Sequence, residues 1–498
     1  MFTPKRKQLS RHCSGGAREL QRRMSVVSIF VLLATAAGQD AGTNAATNRP
    51  VAQIVSTNPA PMQYIETPSP PPAEINQLEA QNALTNQFEV TTNPPPPFGP
   101  ATIGSAQPTA PIMGTRALSG APGPVGPVTV GPGIPLWGPI NIHPHLLYTF
   151  TYGNGIEARP GQQSRTVINT LAPGFLLDLG KHWSIDYTPS LTFYSSSAFK
   201  NTTDESVTLR GDWTYEDWVL GLSQSYVSTS APLIETGTQT DQEAYATMLT
   251  AAYQMGSKMS LQLGLDQNFR DVTGEGLSSL KEWITDDWLN YQANRMFGMG
   301  IGVILGYDDL DSGSDMPFEQ IQGRINFHPG PKLLLTLAGG GEDRQFTGPS
   351  APALVSPIFT ASLAYQIFQP TTISANASRA VTPSLYNNQV ETVTSVNGSI
   401  RQQLSKKLSV EADGSYMTEP QKSVVPGPLP QYFLGLAPRS TLQEVNNEKI
   451  TSFRISLSYA VVERANLSVF YTVMDNSSGQ ANFAYWSHQV GFSLSYRY

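Results

Sequence analysis

The sequence predicts an all-β protein, namely a transmembrane antiparallel β-barrel of about 18 strands (16–18) that follows a disordered proline-rich segment. Two patterns favour this fold. From about residue 142 to the end, apolar and polar residues follow each other with a two-residue period. The segments that show this period are joined by connections that are short and long in turn. After residue 40 there is no run of about 20 apolar residues, so no membrane-spanning helix is expected there. Any membrane crossing in this region would have to be made by strands.

The two-residue period is clearest in the segments 206–215, 258–270, 407–417 and 451–461. In the final stretch, HQVGFSLSYRY (488–498), the apolar residues again share one face of an extended strand, and polar or small residues take the other face. A strand has this pattern when its two faces meet different environments. In a membrane barrel these environments are lipid outside and water inside.

The alternating segments predict eighteen strands, separated by connections that are short and long in turn. They are expected near 144–153, 164–178, 182–195, 205–215, 217–228, 241–255, 258–270, 281–293, 296–308, 318–327, 332–345, 354–368, 371–381, 389–404, 407–417, 448–461, 465–475 and 482–498. Outer-membrane barrels have an even number of strands, short periplasmic turns and longer external loops. A secreted sandwich or solenoid would favour shorter strands and gives no reason for the alternation of connections.

The N-terminus has the pattern of a cleaved signal peptide over residues 1–38. Seven basic residues and one acid precede or flank the apolar run MSVVSIFVLLATAA (24–37), which ends in small residues. Cleavage would remove the single cysteine, Cys13, and with it any disulfide or thiol chemistry. The remaining chain would carry 24 basic and 37 acidic residues, a net charge of −13, which argues against a nucleic-acid partner.

Residues 39–140 are predicted to be a disordered periplasmic segment, and the barrel is predicted to occupy 141–498. The segment holds 20 of the 39 prolines and only seven charged residues, and proline can neither donate to a strand ladder nor vary its φ angle. A proline-free island at 73–90 could form a short helix. As a flexible coil the segment would span roughly 50–60 Å. It is expected to act as a spacer, with binding to partner domains as the alternative.

A family resemblance begins in the stretch LAPGFLLDLGKHWSIDYTPSLTFY (171–194). There Pro173-Gly174, a tight turn at Gly180-Lys181, and the strand residues Trp183, Ile185, Tyr187 and Pro189 resemble the opening hairpin of OmpL-like outer-membrane β-barrel porins. The resemblance runs loosely to residue 498 and does not cover the proline-rich segment. It implies a porin architecture and says little about the solute.

The C-terminal strand resembles the signal that the barrel-assembly machinery recognises. The matching residues are Gln489, Gly491, Leu494, Tyr496 and the terminal Tyr498. This resemblance implies a bacterial outer membrane of the Gram-negative type as the location and the assembly machinery as a partner. With eighteen strands and short periplasmic turns, both termini would lie in the periplasm.

The predicted function is passive diffusion of small hydrophilic solutes through a porin-like channel, because a barrel of 16 to 18 strands leaves an aqueous lumen. The candidate pore-lining residues are Arg210, Asp212, Asp266, Arg270, Arg324, Glu342, Arg344, Arg401, Glu411, Asp413, Arg454 and Arg497. Both signs of charge occur, so a purely basic, phosphate-selective eyelet is not expected. The long external segment 418–447 is the candidate constriction. No cofactor or metal site is indicated.

Two other functions stay open at the level of sequence. A tether would connect the barrel to the cell wall or a periplasmic partner through the proline-rich segment. A barrel enzyme acting on lipid would need a nucleophile, a histidine base and an orienting acid, and no such set shares one membrane depth, so an enzyme is not expected. The sequence also leaves open whether barrels form oligomers and whether residues 73–140 plug the lumen.

Overall fold

The structure is a computed structural model. It describes residues 134–137, 140–154, 165–232, 239–274, 276–348, 352–425, 440–478 and 484–498. The predicted signal peptide and nearly all of the predicted proline-rich segment, including the island at 73–90, lie outside the described residues. Within the described ranges, no helix is long and apolar enough to cross a membrane.

The described residues form nineteen strands. In chain order these are β1 (Ile134–Trp137), β2 (Ile140–Asn154), β3 (Arg165–Leu179), β4 (Trp183–Tyr194), β5 (Thr202–Tyr215), β6 (Trp218–Thr229), β7 (Asp241–Gln254), β8 (Met259–Thr273), β9 (Leu280–Asn294), β10 (Phe297–Leu310), β11 (Met316–Gly330), β12 (Leu333–Gln345), β13 (Ala353–Phe368), β14 (Thr371–Pro383), β15 (Gln389–Gln403), β16 (Leu408–Val425), β17 (Thr441–Val462), β18 (Ala465–Ser478) and β19 (Tyr485–Arg497). Each of the eighteen predicted strands overlaps one of β2 to β19.

Strands β2 to β19 form a closed ring of eighteen, in which consecutive strands pair antiparallel. The ring closes where β19 pairs with β2, from His488 opposite Asn154 to Arg497 opposite His145. The predicted barrel of about 18 antiparallel strands is therefore confirmed. Strands about 4.8 Å apart and tilted by about 40° give such a ring a backbone diameter of roughly 35 Å.

The short strand β1 pairs with the first residues of β2, so that Ile134 lies opposite Ile142. It occupies the edge of β2 beyond the point where β19 ends. This strand lies inside the stretch that the sequence analysis assigns to the proline-rich segment, which was predicted to extend to residue 140.

The two ends of the barrel differ in the length of their connections. At one end, called here the short-turn end, eight tight turns join β3 to β4, β5 to β6, and so on to β17 and β18. Three of these turns use the left-handed region, at Gly180 (φ 78°), Glu216 (φ 51°) and Gly256 (φ 98°), as a tight reversal requires. At the other end, the long-loop end, the connections are longer. The last strand ends at the short-turn end.

The outer face of the ring carries the exposed apolar side chains. Ile301 is 59% exposed and Ile321 is 66% exposed, and Val303 lies between Ile301 and Leu305 on the same face of β10. The residues that alternate with them face the interior and are buried or small. An apolar outer band and a polar inner face are the arrangement of a transmembrane barrel.

Aromatic side chains border this outer band at both ends. Near the short-turn end, Trp218 packs against Tyr253 with ring centroids 4.8 Å apart. Near the long-loop end, Tyr226 packs against Tyr245 at 4.9 Å. Tyr and Trp form such girdles where lipid meets water. Along β9, the outward Tyr291 and Trp283 mark the two borders of the band.

Half of one predicted loop is strand. Residues 418–447 were expected to form an external loop, but β16 continues to Val425 and β17 begins at Thr441, and the two pair from Thr418 opposite Lys449 to Val425 opposite Thr441. Beyond the apolar band both faces of a hairpin meet water, so the two-residue period disappears and the sequence pattern no longer shows the strand. The apolar stretch PLPQYFLGL (428–436) lies outside the described residues.

Candidate functional site

The twelve predicted pore-lining residues all alternate onto the inner face of the ring, but they are not gathered in one place. Five lie on β8, β11 and β12, four lie on β15, β16 and β17, and three lie near the short-turn end. The first group contacts side chains that the sequence analysis did not select.

Arg344 of β12 is the centre of the first group and is 1% exposed. Its guanidinium forms an ion pair with Asp308 of β10, and its Nε donates to Glu342 Oε1 at 2.7 Å. Gln320 Nε2 donates to the second oxygen of Glu342 at 2.9 Å. The guanidinium also stacks over the ring of Phe318, 4.3 Å from its centroid. These contacts fix the guanidinium against the wall between β10 and β12.

A second layer lies closer to the short-turn end and is built around Arg324 of β11. Its Nη2 donates to Asn290 Oδ1 at 2.6 Å and to Gln262 Oε1 at 3.3 Å, which links β11 to β9 and β8. The guanidinium lies 4.2 Å from the ring centroid of Trp288, whose Nε1 donates to Asp286. As with Arg344, an inward arginine lies on an aromatic ring, a contact worth about 2 kcal/mol when desolvated.

Glycines of β10 make room for these rings. A Cβ atom at Gly302 would collide with the indole ring of Trp288, and one at Gly306 would collide with the ring of Phe318. Inward glycines on a strand can widen a lumen or let another group approach the backbone closely. The structure shows close approach by aromatic side chains of the neighbouring strands β9 and β11.

The second group joins β15, β16 and β17 by opposite charges in register. Arg401 lies opposite Glu411, and Asp413 lies opposite Arg454. The Arg454 guanidinium lies 4.1 Å from the ring centroid of Phe470 on β18. This group contains two carboxylates and two guanidiniums, so its formal charge is balanced.

The third group lies near the short-turn end. Arg210 and Asp212 are exposed there, and His182 Nδ1 lies 3.6 Å from Asp212 Oδ2. Arg497 is half-buried, and its backbone N–H donates to the carbonyl of Arg464 at 3.0 Å.

The residues resembling the assembly signal divide between the two faces of β19. Gln489 and Gly491 face inward, while Leu494 and Tyr496 face outward. The backbone N–H of Tyr498 donates to the Pro144 carbonyl at 2.9 Å, and the Arg464 guanidinium stacks on the Tyr498 ring at 4.0 Å.

The sequence analysis missed most of the inward acids, including Glu282 and Asp286 of β9 and Asp308 of β10. The segment 281–293 alternates poorly because its outer face carries Thr285 and Asp287 within the apolar band. The inward acids of β9 could have been found from register, because Glu282 lies opposite Asp308 and Asp286 opposite Ile304.

The tip of the β14–β15 hairpin leaves the barrel wall. The β13–β14 ladder runs only as far as Phe359 opposite Arg379, although both strands continue beyond that point. On the other side, the β15–β16 ladder is interrupted at residues 392 and 393. Where the strands separate, Arg379 Nε donates to the carbonyl of Pro357 at 3.1 Å, and this bond satisfies an acceptor at the exposed ladder edge.

This hairpin tip, residues 380–391, reaches the connections that precede β9 and follow β10. The Ser278 N–H, before β9, donates to the Leu385 carbonyl at 2.8 Å, and Ser312 Oγ lies 2.5 Å from Asn387 Oδ1. Strands β9 and β14 are five places apart in the ring, roughly 24 Å along the wall. The tip therefore connects two parts of the ring that are five strands apart in the wall.

Under the tip, the inner wall changes from polar to apolar. Val381 and Val390 of the hairpin form one buried cluster with inward residues at the long-loop ends of β9 to β13. Those wall residues are Leu280, Leu310, Met316, Phe346 and Leu354. The hairpin is also anchored to the charged layer below, since Arg344 Nη2 donates to the Val381 carbonyl at 3.2 Å. The segment 380–391 thus folds inward. The predicted constriction at 418–447 stays a prediction, because its residues 426–439 lie outside the described residues.

One inner histidine, His145, lies beside a hydroxyl group and a carboxylate. Its Nε2 is 2.8 Å from Thr188 Oγ1 and 4.0 Å from Asp186 Oδ1, but the threonine hydroxyl donates to that same Asp186 oxygen at 2.8 Å. His145 Nδ1 has no hydrogen-bond partner among the described residues, so no acid orients the ring from the nitrogen opposite the hydroxyl, as a catalytic relay requires. In the described ranges, no group of three or more His, Cys, Asp or Glu side chains is placed to hold a metal ion.

Comparisons with known proteins give matches only among solved structures. No protein-family model matches the chain, and no curated protein sequence does. The FrpB iron transporter from Neisseria meningitidis is similar with a TM-score of 0.40 at 8% identity, covering 68% of this chain and 62% of FrpB. The siderophore receptor PirA from Pseudomonas aeruginosa has a TM-score of 0.38 at 11% identity, covering 72% and 80%. The outer membrane protein opdK from Pseudomonas aeruginosa has a TM-score of 0.39 at 12% identity, covering 72% and 98%.

Proposed function

We propose that the protein is a porin-like channel of the bacterial outer membrane through which small hydrophilic solutes diffuse, of the kind that its resemblance to OmpL-like porins implies. The observation that carries the proposal is the closed ring of eighteen strands with an apolar outer face and a charged inner face. A ring of this size is wide enough for an aqueous passage, and the outer band suits lipid.

The hairpin tip 380–391 is the proposed constriction. It lies against the inner wall at the long-loop end, which would be the external end in an outer membrane. Loops that fold into a barrel reduce the size of solute that passes. We therefore expect a channel narrower than the strand number alone would give.

The test is conductance of the purified full-length mature protein in planar lipid bilayers. We expect discrete conductance steps, and we expect liposomes containing the protein to admit small sugars faster than larger ones. A protein that inserts, shows the heat-modifiable mobility of a folded barrel, and gives no steps at any voltage would refute the channel. Fractionation of cell envelopes tests the outer-membrane location separately.

The interaction of the last strand with the barrel-assembly machinery is proposed from its sequence resemblance. Deleting Tyr498 should reduce the yield of membrane-inserted protein more than it reduces secretion. Because Tyr498 also contacts Pro144 and Arg464, the control is Arg464→Ala, which removes the ring contact and leaves the tyrosine in place. Normal assembly of the truncated protein would contradict the proposed signal.

A further inference from the structure

The inner face of the described strands carries a clear excess of negative charge. Its basic residues are seven arginines, the same seven that the sequence analysis selected, and no lysine lies on this face in the described ranges. Its acids are Asp178, Asp186, Asp204, Asp212, Asp266, Glu282, Asp286, Asp308, Glu342, Glu391, Glu411, Asp413, Glu419 and Glu448. Fourteen carboxylates against seven guanidiniums give a formal charge of −7.

The excess is unevenly distributed around and along the lumen. The four charges Arg401, Glu411, Asp413 and Arg454 balance, but Glu419 and Glu448 lie opposite each other nearer the long-loop end of β16 and β17 and add two carboxylates there. The layer beneath the hairpin tip sets Glu282, Asp308 and Glu342 beside the guanidinium of Arg344. Arg344 also donates to a carbonyl oxygen of the hairpin, that of Val381.

Two inward arginines of this part of the wall, Arg324 and Arg344, are held by hydrogen-bond acceptors and by aromatic rings. Arg324 is bound by two amide oxygens and lies on Trp288, and Arg344 is bound by two carboxylates and lies on Phe318. All three nitrogens of the Arg344 guanidinium bind oxygen atoms, so it presents little free donor capacity to a passing anion, whereas Arg324 is held through Nη2 alone. The three carboxylates around Arg344 outnumber its single positive charge and therefore dominate the field next to the constriction.

We propose that the channel is selective for cations over anions, and that the carboxylates of Glu282, Asp308 and Glu342 beside the hairpin tip make the largest contribution. This inference rests on the proposed channel function. A passage lined by one excess sign of charge and bounded by low-dielectric walls concentrates ions of the opposite sign and excludes those of the same sign. The effect is strongest where the passage is narrowest, and the hairpin tip lies directly above this layer.

The first test needs no substitution. The full-length protein is placed in a planar bilayer that separates a tenfold gradient of KCl, and the reversal potential is measured. We expect permeability to K⁺ to exceed that to Cl⁻ several-fold, and the ratio to fall as total salt rises, because the screening length shrinks from about 10 Å at 0.1 M to about 3 Å at 1 M. A conducting channel with equal permeabilities, or with a preference for Cl⁻, would overturn the inference.

The second test locates the selectivity. Glu342→Gln and Glu282→Gln, alone and together, should each lower the K⁺/Cl⁻ permeability ratio. The matched control is Glu319→Gln with Asp343→Asn, since these acids lie on the outer face of β11 and β12 at the same depth and are exposed. An equal fall in the ratio for the control pair would refute the assignment to the inner layer.

The outcomes separate this inference from the proposed function. If the folded protein gives no conductance, the channel function fails and the selectivity falls with it. If it conducts without preferring cations, the channel function stands and the selectivity fails. Variants that no longer fold are recognised by loss of heat-modifiable mobility, and the unsubstituted protein's reversal potential still decides the question.

Discussion

Two parts of the inner wall of this barrel are built in different ways. The inner face of β8 to β13, called here the charged sector, holds arginines, carboxylates and aromatic rings, and it carries the inward-folded hairpin tip. The inner face of β18, β19, β2 and β3, the hydroxyl sector, is rich in Ser, Thr and Asn, and its charged side chains, Asp178 and Arg497, lie near the short-turn end. Its side chains bond to near neighbours, as when Gln489 Nε2 donates to Ser487 Oγ at 2.9 Å.

The two sectors would act differently on a solute in a channel of this kind. Hydroxyl groups are neutral and can donate and accept, so a wall of them resembles water to most solutes. Buried charges are costly and are kept in register by specific partners. A barrel needs only an apolar exterior and a polar interior to insert, so the expensive network of the charged sector suggests that this side sets selectivity.

The largest expected effect comes from removing the hairpin tip. Replacing residues 384–388 by a two-residue turn should withdraw the contacts with Ser278 and Ser312 and uncover the charged layer. We expect single-channel conductance to rise roughly two-fold or more, since a constriction dominates the resistance of a pore. The measurement is conductance in planar bilayers.

The control for this change shortens a long-loop connection that makes no described contact with the inner wall of β9 to β13. The connection 195–201 between β4 and β5 is suitable, because its described hydrogen bonds run to its own strands, to the start of β3 and to Gln239, all away from β9 to β13. If both deletions change conductance equally, the hairpin tip is not the constriction.

The second largest effect is expected on the free energy of unfolding when Arg344 is replaced. Arg344→Met removes the one cation that neutralises Asp308 and Glu342, each at most 1% exposed. Breaking a buried ion pair in this way costs about 3–5 kcal/mol. The free energy of unfolding is measured by urea titration in lipid vesicles. Arg210→Met, at an exposed inner position, serves as the control and should cost much less; equal losses would mean that the charged sector is no more dependent on its ion pairs than the rest of the wall.

A smaller effect is expected from filling the space beside Trp288. Gly302→Val places a side chain where the indole lies, and overpacking of this type costs about 1–3 kcal/mol. Gly323→Val is the matched control on the adjacent strand, because a Cβ atom there meets nothing within 4 Å. The same urea titration reports both, with displacement of the indole visible as a change in tryptophan fluorescence. If Gly323→Val lowers the free energy of unfolding as much as Gly302→Val does, the cost comes from replacing a glycine in a strand and not from a clash with the indole ring.

The sequence predicts the strands of the ring better than it predicts the hairpin tip. Most strands of the ring are visible as a two-residue period because lipid selects apolar residues on the outer face, whichever sector lies behind it; β9 shows it poorly, since Thr285 and Asp287 lie on its outer face. The register then places all seven inward arginines. What the period could not show is the hairpin tip, since β14 and β15 separate from the wall through contacts between residues far apart in sequence, such as Ser278 with Leu385.

A signal for the hairpin tip was nevertheless present. The inward positions at the long-loop ends of β9 to β13 are apolar, at Leu280, Leu310, Met316, Phe346 and Leu354. Five apolar side chains facing a watery lumen would cost hydrophobic free energy unless something covered them. Register alone therefore predicts a cover at this site, although it does not identify β14 and β15 as its source.

The smallest effect is expected in the hydroxyl sector, where Ser468 Oγ accepts a hydrogen bond from Ser458 Oγ at 3.1 Å between β18 and β17. Ser468→Ala removes one neutral hydrogen bond, and such bonds contribute about 0.5–1.5 kcal/mol. We expect a loss near the lower end on urea titration, because Ser458 can turn its hydroxyl elsewhere, and we expect no change in the K⁺/Cl⁻ permeability ratio. The charge-neutral control is Asn290→Ala in the charged sector, which removes an acceptor from Arg324 and should alter both stability and selectivity. If Ser468→Ala shifts the permeability ratio as far as Asn290→Ala does, selectivity is a property of the whole wall, and the division into two sectors has no functional meaning.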